Sequence, residues 1–136
     1  MPVIDSGIFA SNVVKDEFYE HSKRYLRGKK STLDFSFAEA GNVIWKHVQM
    51  GRINRTGVEK RAELLRALIN TSEIYKAESY LIEALNLAID YNIRVYDALF
   101  IALAMNLNEK LITTDKKLYT KIKESHLEQF VECIEP

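Results

Sequence analysis

Three kinds of residue are scarce in this sequence: cysteine occurs once, at Cys133, proline twice and glycine five times. A single cysteine excludes an internal disulfide and a cysteine-built zinc site, and it favours a reducing cytoplasm as the setting. So few prolines and glycines argue against a disordered or repetitive chain. The 19 basic and 19 acidic residues cancel, so bulk charge does not drive nucleic-acid binding, although a local basic patch can still contact phosphates.

Long apolar runs are also missing, since no stretch approaches the roughly 18 consecutive apolar residues of a membrane span. The first residues include Asp5 and no basic leader, so we expect neither a membrane anchor nor a signal peptide. Hydrophobic residues nonetheless make up 47% of the 136 residues, which is enough for a buried core. The length fits one domain, predicted over residues 1–136.

Two kinds of apolar pattern alternate along the chain. Short apolar runs followed by turn residues predict strands at 3–4, 32–35, 73–77, 111–114 and 130–134. Apolar residues three to four positions apart predict helices at 16–26, 36–50, 59–70, 78–91, 97–107 and 116–124, of which 97–107 is apolar nearly all round and therefore central. Strands that alternate with helices predict the α/β class, with a mostly parallel sheet covered on both faces.

Four carboxylates stand out by their positions. Asp5 and Asp115 directly follow predicted strands, Asp97 begins the most apolar helix, and Glu39 interrupts an otherwise nonpolar run. Ligand sites of open parallel sheets form at the carboxyl ends of the strands. Each acid also has a plain structural explanation: Asp97 and Asp115 as helix N-caps, Glu39 as the partner of Ser36 in a capping box, and Asp5 as a turn residue.

Taken together, the four acids are harder to explain structurally. Two unit charges about 4 Å apart repel by about 4 kcal/mol at an effective dielectric constant near 20. A fold that gathers several carboxylates at one edge of a sheet therefore needs positive charge among them. Hard divalent cations with oxygen ligands, Mg²⁺ or Mn²⁺, are the simplest source of that charge.

Four sequence blocks resemble the PIN domain family, most closely its small single-domain ribonuclease toxins of the VapC type. The blocks are Val3-Ile4-Asp5-Ser6, Phe37-Ala38-Glu39-Ala40-Gly41-Asn42, Val95 to Ala104, and Leu111 to Leu118. They cover essentially the whole chain in the family's order. The resemblance implies a PIN-like three-layer α/β/α sandwich around a mostly parallel sheet.

The resemblance also implies a chemistry, which is metal-dependent hydrolysis of RNA phosphodiester bonds by an endoribonuclease. It assigns metal binding and catalysis to an acidic quartet made of Asp5, Glu39, Asp97 and Asp115. One or two Mg²⁺ or Mn²⁺ ions are the implied cofactor. Ser6 and Thr113 match hydroxyl residues that would orient the carboxylates or water.

RNA contacts are predicted outside the quartet. Lys46 lies one helical turn beyond Asn42 on the side of Glu39, and Arg24 and Arg27 belong to the densest basic run of the chain. A solvated helix end and its loop is the simpler explanation of that run, since charge runs are usually solvated faces. The resemblance further implies a homodimer and a complex with a VapB-like antitoxin.

Three other functions stay open at the level of the sequence. A PIN nuclease of housekeeping RNA processing would carry the same residues. A catalytically silent PIN domain used for protein contacts would have lost acids, and all four are present. A receiver-like regulatory module would need paired acids after the first strand and an aspartate after a central strand, and this chain has Asp5-Ser6 and no such central aspartate.

Overall fold

The structure, a computed structural model, describes residues 1–136, and a sheet of five parallel strands lies at its centre. The strands are β1 (Val3–Ile4), β2 (Ser31–Leu33), β3 (Glu73–Tyr75), β4 (Leu111–Thr113) and β5 (Val131–Cys133). Their order across the sheet is β3-β2-β1-β4-β5. In register, Val3 of β1 lies opposite Ser31 on one side and Leu111 on the other.

Seven α-helices cover the two faces of this sheet. They are α1 (Ser6–Val14), α2 (Tyr19–Tyr25), α3 (Ser36–Gln49), α4 (Val58–Asn70), α5 (Leu81–Tyr91), α6 (Val95–Leu107) and α7 (Lys116–Ile122). Helices α1 to α4 pack together on one face, and α5 to α7 lie on the other. This arrangement confirms the predicted three-layer α/β/α sandwich with a parallel sheet.

Side chains that alternate along the strands divide the core into two clusters. Val3 points into a cluster with Phe100 and Leu103 of α6, whereas Ile4 points into a second cluster with Phe9 of α1. This is the expected result of the two-residue period of a strand. Residues 98–104 of α6 are buried throughout, as their composition predicts. No helix, α6 included, is long and apolar enough to span a membrane.

Helix α1 is absent from the sequence prediction, which placed the first helix at 16–26. The structure begins a helix at Ser6, directly after β1, and a separate short helix at Tyr19. Most positions of α1 are buried between the sheet and the neighbouring helices. A helix buried on most sides carries no polar face, so the periodicity that reveals surface helices is missing from its sequence.

Left-handed residues end the helices that lead into the functional region. Asn92 after α5 and Asn108 after α6 have φ angles of 53° and 54°, and Gly51 has a φ of 74° just beyond α3. Asparagine and glycine tolerate this conformation best among the residues. The end of α5 at Asn92 matters most, because the chain turns there and immediately begins α6, which carries Asp97.

Candidate functional site

A cleft of about 610 Å³ lies at the carboxyl ends of the two central strands, β1 and β4. Asp5 comes directly after β1 and begins α1, and Asp115 follows β4 and begins α7. Strands β2 and β3 follow one another on one side of β1, and β4 and β5 follow one another on its other side. A reversal of strand order of this kind opens a crevice where ligands bind in α/β sheets.

The structure brings all four predicted acids into this one cleft. The residues that line it and enter the argument are Asp5, Ser6, Glu39, Lys46, Arg94, Asp97 and Asp115. Thr113 lies buried directly beneath and contacts Asp5. Arg24 and Arg27, in α2 and the turn after it, do not line the cleft, so RNA contact by these two residues stays a prediction.

Glu39 is fixed by a partner that lies far away in the sequence. The Ser6 Oγ donates a hydrogen bond to Glu39 Oε1 at 2.7 Å, which ties α3 to the start of α1. The capping box suggested for Ser36 and Glu39 is wrong, because α3 begins without a side-chain cap and the Ser36 hydroxyl pairs with Thr32 Oγ1 at 2.6 Å. The Glu39 carboxylate is therefore available to the cleft rather than to its own helix.

Thr113 connects the two acids that follow the central strands. Its Oγ1 donates to Asp5 Oδ2 at 2.6 Å and accepts the backbone N–H of Asp115 at 3.1 Å. Asp115 Oδ1 accepts the N–H of Leu118 at 3.0 Å, so Asp115 is a true N-cap of α7, as its position suggests. Its second carboxylate oxygen makes no protein hydrogen bond, so a capping role leaves one oxygen free for a ligand.

Asp97 is held by Arg94, a cleft residue that the sequence reasoning missed. Arg94 Nε donates to Asp97 Oδ2 at 3.2 Å, and Arg94 Nη2 donates to Asp97 Oδ1 at 3.4 Å. The suggestion that Asp97 caps its helix is wrong, because Arg94 occupies the N-cap position and Asp97 lies in the first turn. Arginine has no acceptor for a capping bond. The sequence signal that could have identified this ion pair is the basic residue three positions before Asp97.

The acids of the cleft raise one another's pKa values. The pKa of Asp5 is raised to about 7, chiefly by burial, with a smaller rise from the charges of Asp97 and Glu39 and an opposing effect of the Thr113 hydrogen bond. Burial likewise raises the pKa of Glu39 and of Asp97, the latter against the favourable contact with Arg94. Arg94 makes the one salt bridge of the cleft, so the site is short of positive charge.

The chemistry of these donors fits a hard divalent cation, because every candidate ligand atom is an oxygen. The side chains as they stand place no three His, Cys, Asp or Glu residues around one ion position. Asp5, Glu39 and Asp97 are instead engaged by Thr113, Ser6 and Arg94. Shared coordination of an ion would therefore need side-chain rotation, above all the release of Asp97 from Arg94.

A larger cavity lies elsewhere and contains none of the four acids. Its volume is about 800 Å³, and it lies beside α7 and β5, where lysines and the partly exposed Cys133 line it. Glutamates and lysines line it together, so its charges are mixed. The smaller cleft gathers four carboxylates with few cations at the carboxyl ends of β1 and β4, so it is the stronger candidate for chemistry.

The fold and the cleft define an α/β protein whose carboxylates gather at the carboxyl edge of a parallel sheet. The family model of the PIN domain matches residues 3–124, so the chain belongs to the PIN domain family. This match confirms the resemblance seen in the sequence.

Two proteins of Pyrobaculum aerophilum are similar in sequence over most of their length. Ribonuclease VapC3 is 29% identical over 121 residues, which cover 88% of this chain and 92% of that protein. Exonuclease VapC9 is 25% identical over 118 residues, which cover 87% of this chain and 82% of that protein.

Two solved structures share the fold. The protein PAE2754 of Pyrobaculum aerophilum aligns with a TM-score of 0.69 at 22% identity, over 90% of this chain and 80% of that one. A chain of a toxin–antitoxin complex from Klebsiella pneumoniae aligns with a TM-score of 0.65 at 15% identity, over 97% of this chain and 96% of that one. At these identities the likeness supports the three-layer architecture alone.

Proposed function

We propose that this protein is an Mg²⁺- or Mn²⁺-dependent endoribonuclease of the VapC type, the toxin of a toxin–antitoxin pair that acts in the cytoplasm. The observation that carries the proposal is the convergence of Asp5, Glu39, Asp97 and Asp115 on one cleft with a single salt-bridging cation among them. Membership of the PIN domain family and the similarity to Ribonuclease VapC3 support the same activity.

A divalent ion held by these carboxylates would supply a water of lowered pKa and would neutralise charge on the phosphoryl oxygens. The protein's own contribution is placement. Ser6 holds the carboxylate of Glu39, and Thr113 holds that of Asp5. Such hydrogen bonds from outside the ligand set fix the orientation of the ligating oxygens. Lys46, at the wall of the same cleft, is placed to contact a phosphate of the substrate.

The experiment that tests the proposal uses a circular and a linear single-stranded RNA of the same sequence. We expect the purified protein to open the circle in the presence of Mg²⁺ or Mn²⁺ and to lose this activity in EDTA. The circle is necessary because one relative is named an exonuclease, and an exonuclease cannot act on RNA without ends. Degradation of the linear RNA with an intact circle would contradict the endonuclease assignment, and equal cleavage in EDTA would contradict metal dependence.

An apolar groove beside the acidic cleft supports an antitoxin as the partner. The groove, about 600 Å³ in volume, lies between α3 and α4 and includes the exposed side chains of Phe37 and Trp45. Helix α3 contributes Glu39 and Lys46 to the acidic cleft, so the two surfaces adjoin. An amphipathic or extended antitoxin segment in this groove would bring a basic residue within reach of the carboxylates.

A homodimer is the second part of the proposed assembly, and the outer face of α5 supports it. Leu81, Ile82, Leu85 and Ile89 form one exposed stripe along this helix, and Ile82 and Ile89 are 79% and 77% exposed. A two-fold axis across the stripe would cover the same apolar surface on both copies at once.

Charged residues in the α5 stripe are therefore expected to dissociate the dimer. The double substitution Ile82→Glu and Ile89→Glu should raise the dimer dissociation constant by at least about 100-fold, because two carboxylates would be buried without partners. Light scattering over a concentration series measures this change. Leu64→Glu, at an exposed apolar position of α4, is the matched control and should leave the dimer intact. A monomeric wild-type protein at micromolar concentration would contradict the proposed dimer.

A further inference from the structure

A second, smaller cavity adjoins the acidic cleft on the side of α7. Its volume is about 330 Å³, and it shares three wall residues with the cleft: Arg94, Asp97 and Asp115. Its far wall is formed by α7, which contributes Lys117 and Lys121. The two cavities therefore meet at the Arg94–Asp97 ion pair, and a ligand too long for the cleft has a path into the second cavity.

Lys117 and Lys121 bring positive charge to this cavity, and neither ammonium group forms a salt bridge. They lie one helical turn apart on α7, and both are exposed. Lys117 makes no hydrogen bond or salt bridge, and Lys121 Nζ donates only to the backbone oxygen of Asn92 at 2.9 Å. Asp97 on the facing wall is already paired with Arg94. The two ammonium groups are therefore available to an anion that enters the cavity.

An acidic cleft alone repels a nucleic acid, because the strand carries a negative charge at every phosphate. A nuclease with an acidic active site therefore needs cations on both sides of its carboxylates, and these cations bind the phosphates of the strand and hold it across the carboxylates. Lys46 lies in the wall of the cleft on the side of α3. On the side of α7, the cations next to the shared residues Arg94, Asp97 and Asp115 are the two lysines of the second cavity.

We propose that the second cavity is a subsite for a backbone phosphate of single-stranded RNA, next to the phosphodiester that is cleaved, with Lys117 and Lys121 as its ligands. The inference rests on the proposed ribonuclease function and extends it to the path of the substrate. The strand runs from Lys46 across the four carboxylates, passes Arg94 and continues along α7. Arg94 marks the border between the position that is cleaved and the position that is only bound.

Helix α7 also offers a matched control, because its other lysines face away from this cavity. Lys116 lines the larger cavity on the opposite side of the helix, together with Lys123 just beyond its end. Replacement of Lys117 and Lys121 by glutamine and replacement of Lys116 and Lys123 by glutamine change the net charge equally. A difference in RNA binding between the two double variants therefore depends on where the lysines lie and not on the net charge of the protein.

The test measures binding of a fluorescently labelled single-stranded RNA of about ten nucleotides by anisotropy, in the full-length protein with Asp97→Asn added to prevent cleavage. The variant Lys117→Gln/Lys121→Gln should weaken binding about 10-fold at moderate ionic strength. It should also reduce the slope of log affinity against log salt by about 1.4, since each lost contact with a single strand is worth roughly 0.7. Lys116→Gln/Lys123→Gln should change affinity less than about twofold.

Equal weakening by the two pairs, or no weakening by the first, would overturn the subsite. Measuring RNA cleavage by each double variant, with Asp97 intact, distinguishes failure of the subsite from failure of the proposed ribonuclease function. Suppose that the protein without lysine substitutions cuts RNA, and that Lys117→Gln/Lys121→Gln binds and cuts RNA as well as Lys116→Gln/Lys123→Gln does. The subsite is then wrong and the ribonuclease assignment stands. If the protein without lysine substitutions neither binds nor cuts RNA, both the subsite and the ribonuclease function are wrong.

Discussion

Replacement of Asp97 by asparagine is expected to lower the rate of RNA cleavage by at least about 100-fold while the fold survives. Asparagine keeps the shape of the side chain but removes the negative charge that would bind a cation. The metal-free protein should become slightly more stable, because burial raises the pKa of Asp97 and its ionised form is therefore disfavoured in the fold. Added Mg²⁺ or Mn²⁺ should stabilise the variant less than the wild type, since that gain depends on binding to the folded state.

The measurements are RNA cleavage and melting curves with and without divalent metal. Asp90→Asn is the matched control, because Asp90 is an exposed aspartate of α5 outside the cleft, and it should behave as wild type in both assays. If Asp97→Asn cleaves RNA at the wild-type rate and melts with the same metal response, Asp97 serves only its ion pair with Arg94. The proposed metal site would then lack its central ligand.

The acids were predictable because their positions follow from chain order. Asp5 and Asp115 directly follow strands, and carboxyl ends of parallel strands meet at one edge of a sheet whatever the order of the strands. Asp97 lies in the first turn of α6, and the apolar composition of that helix predicts its burial beside the sheet. The positions of the four carboxylates therefore singled them out through local rules, Glu39 by its place in a nonpolar run, and the family resemblance then assigned all four to one site.

The partner of Glu39 could not be predicted from local spacing. Ser36 and Glu39 have the spacing of a capping box, yet Glu39 accepts its hydrogen bond from Ser6, 33 residues earlier in the chain. The packing of α1 against α3 creates that contact, and α1 was missing from the prediction. Arg94 is a different case, because it lies only three residues before Asp97 and this spacing was a local signal that the sequence reasoning did not use.

Periodicity identifies a helix face but not what covers it. The apolar residues of α5 repeat in helical register, as predicted, but Ile82 and Ile89 face outward rather than into the core. The opposite error concerns the basic run near α2, where Lys30 is only 2% exposed and its ammonium donates to Thr71 Oγ1 at 2.8 Å. Charge and hydropathy alone place none of these three residues correctly, because tertiary packing decides which side of a helix or strand is exposed to solvent.

The Asp5→Asn variant is expected to stabilise the metal-free protein at neutral and alkaline pH. In the unfolded chain the Asp5 carboxyl ionises near its ordinary pKa of 3.8, whereas in the fold its pKa is about 7. Well below pH 3.8 both states are protonated and the carboxyl costs nothing. Between pH 4 and pH 7 the unfolded state releases the proton first, so the stability of the wild type falls as the pH rises, and the full cost remains above pH 7.

The size of this cost follows from the shift in pKa. A change of about three units corresponds to about 4 kcal/mol, and because Asp5 keeps some contact with solvent we expect about 2 to 4 kcal/mol. Asparagine avoids the cost and keeps one oxygen that can accept the Thr113 hydrogen bond.

In melting curves, the variant should therefore exceed the wild type by roughly 5 to 10 °C at pH 8 and by only about a quarter as much at pH 4.5. A saturating divalent cation should remove the difference at pH 8, because it would stabilise the ionised carboxylate of the wild type and not the amide. Asp90→Asn should show no pH-dependent difference from the wild type. A difference between Asp5→Asn and the wild type that is the same at both pH values would mean that Asp5 ionises normally. Neither burial nor the neighbouring carboxylates would then disfavour its charge, and the electrostatic argument for a cation at the site would fail.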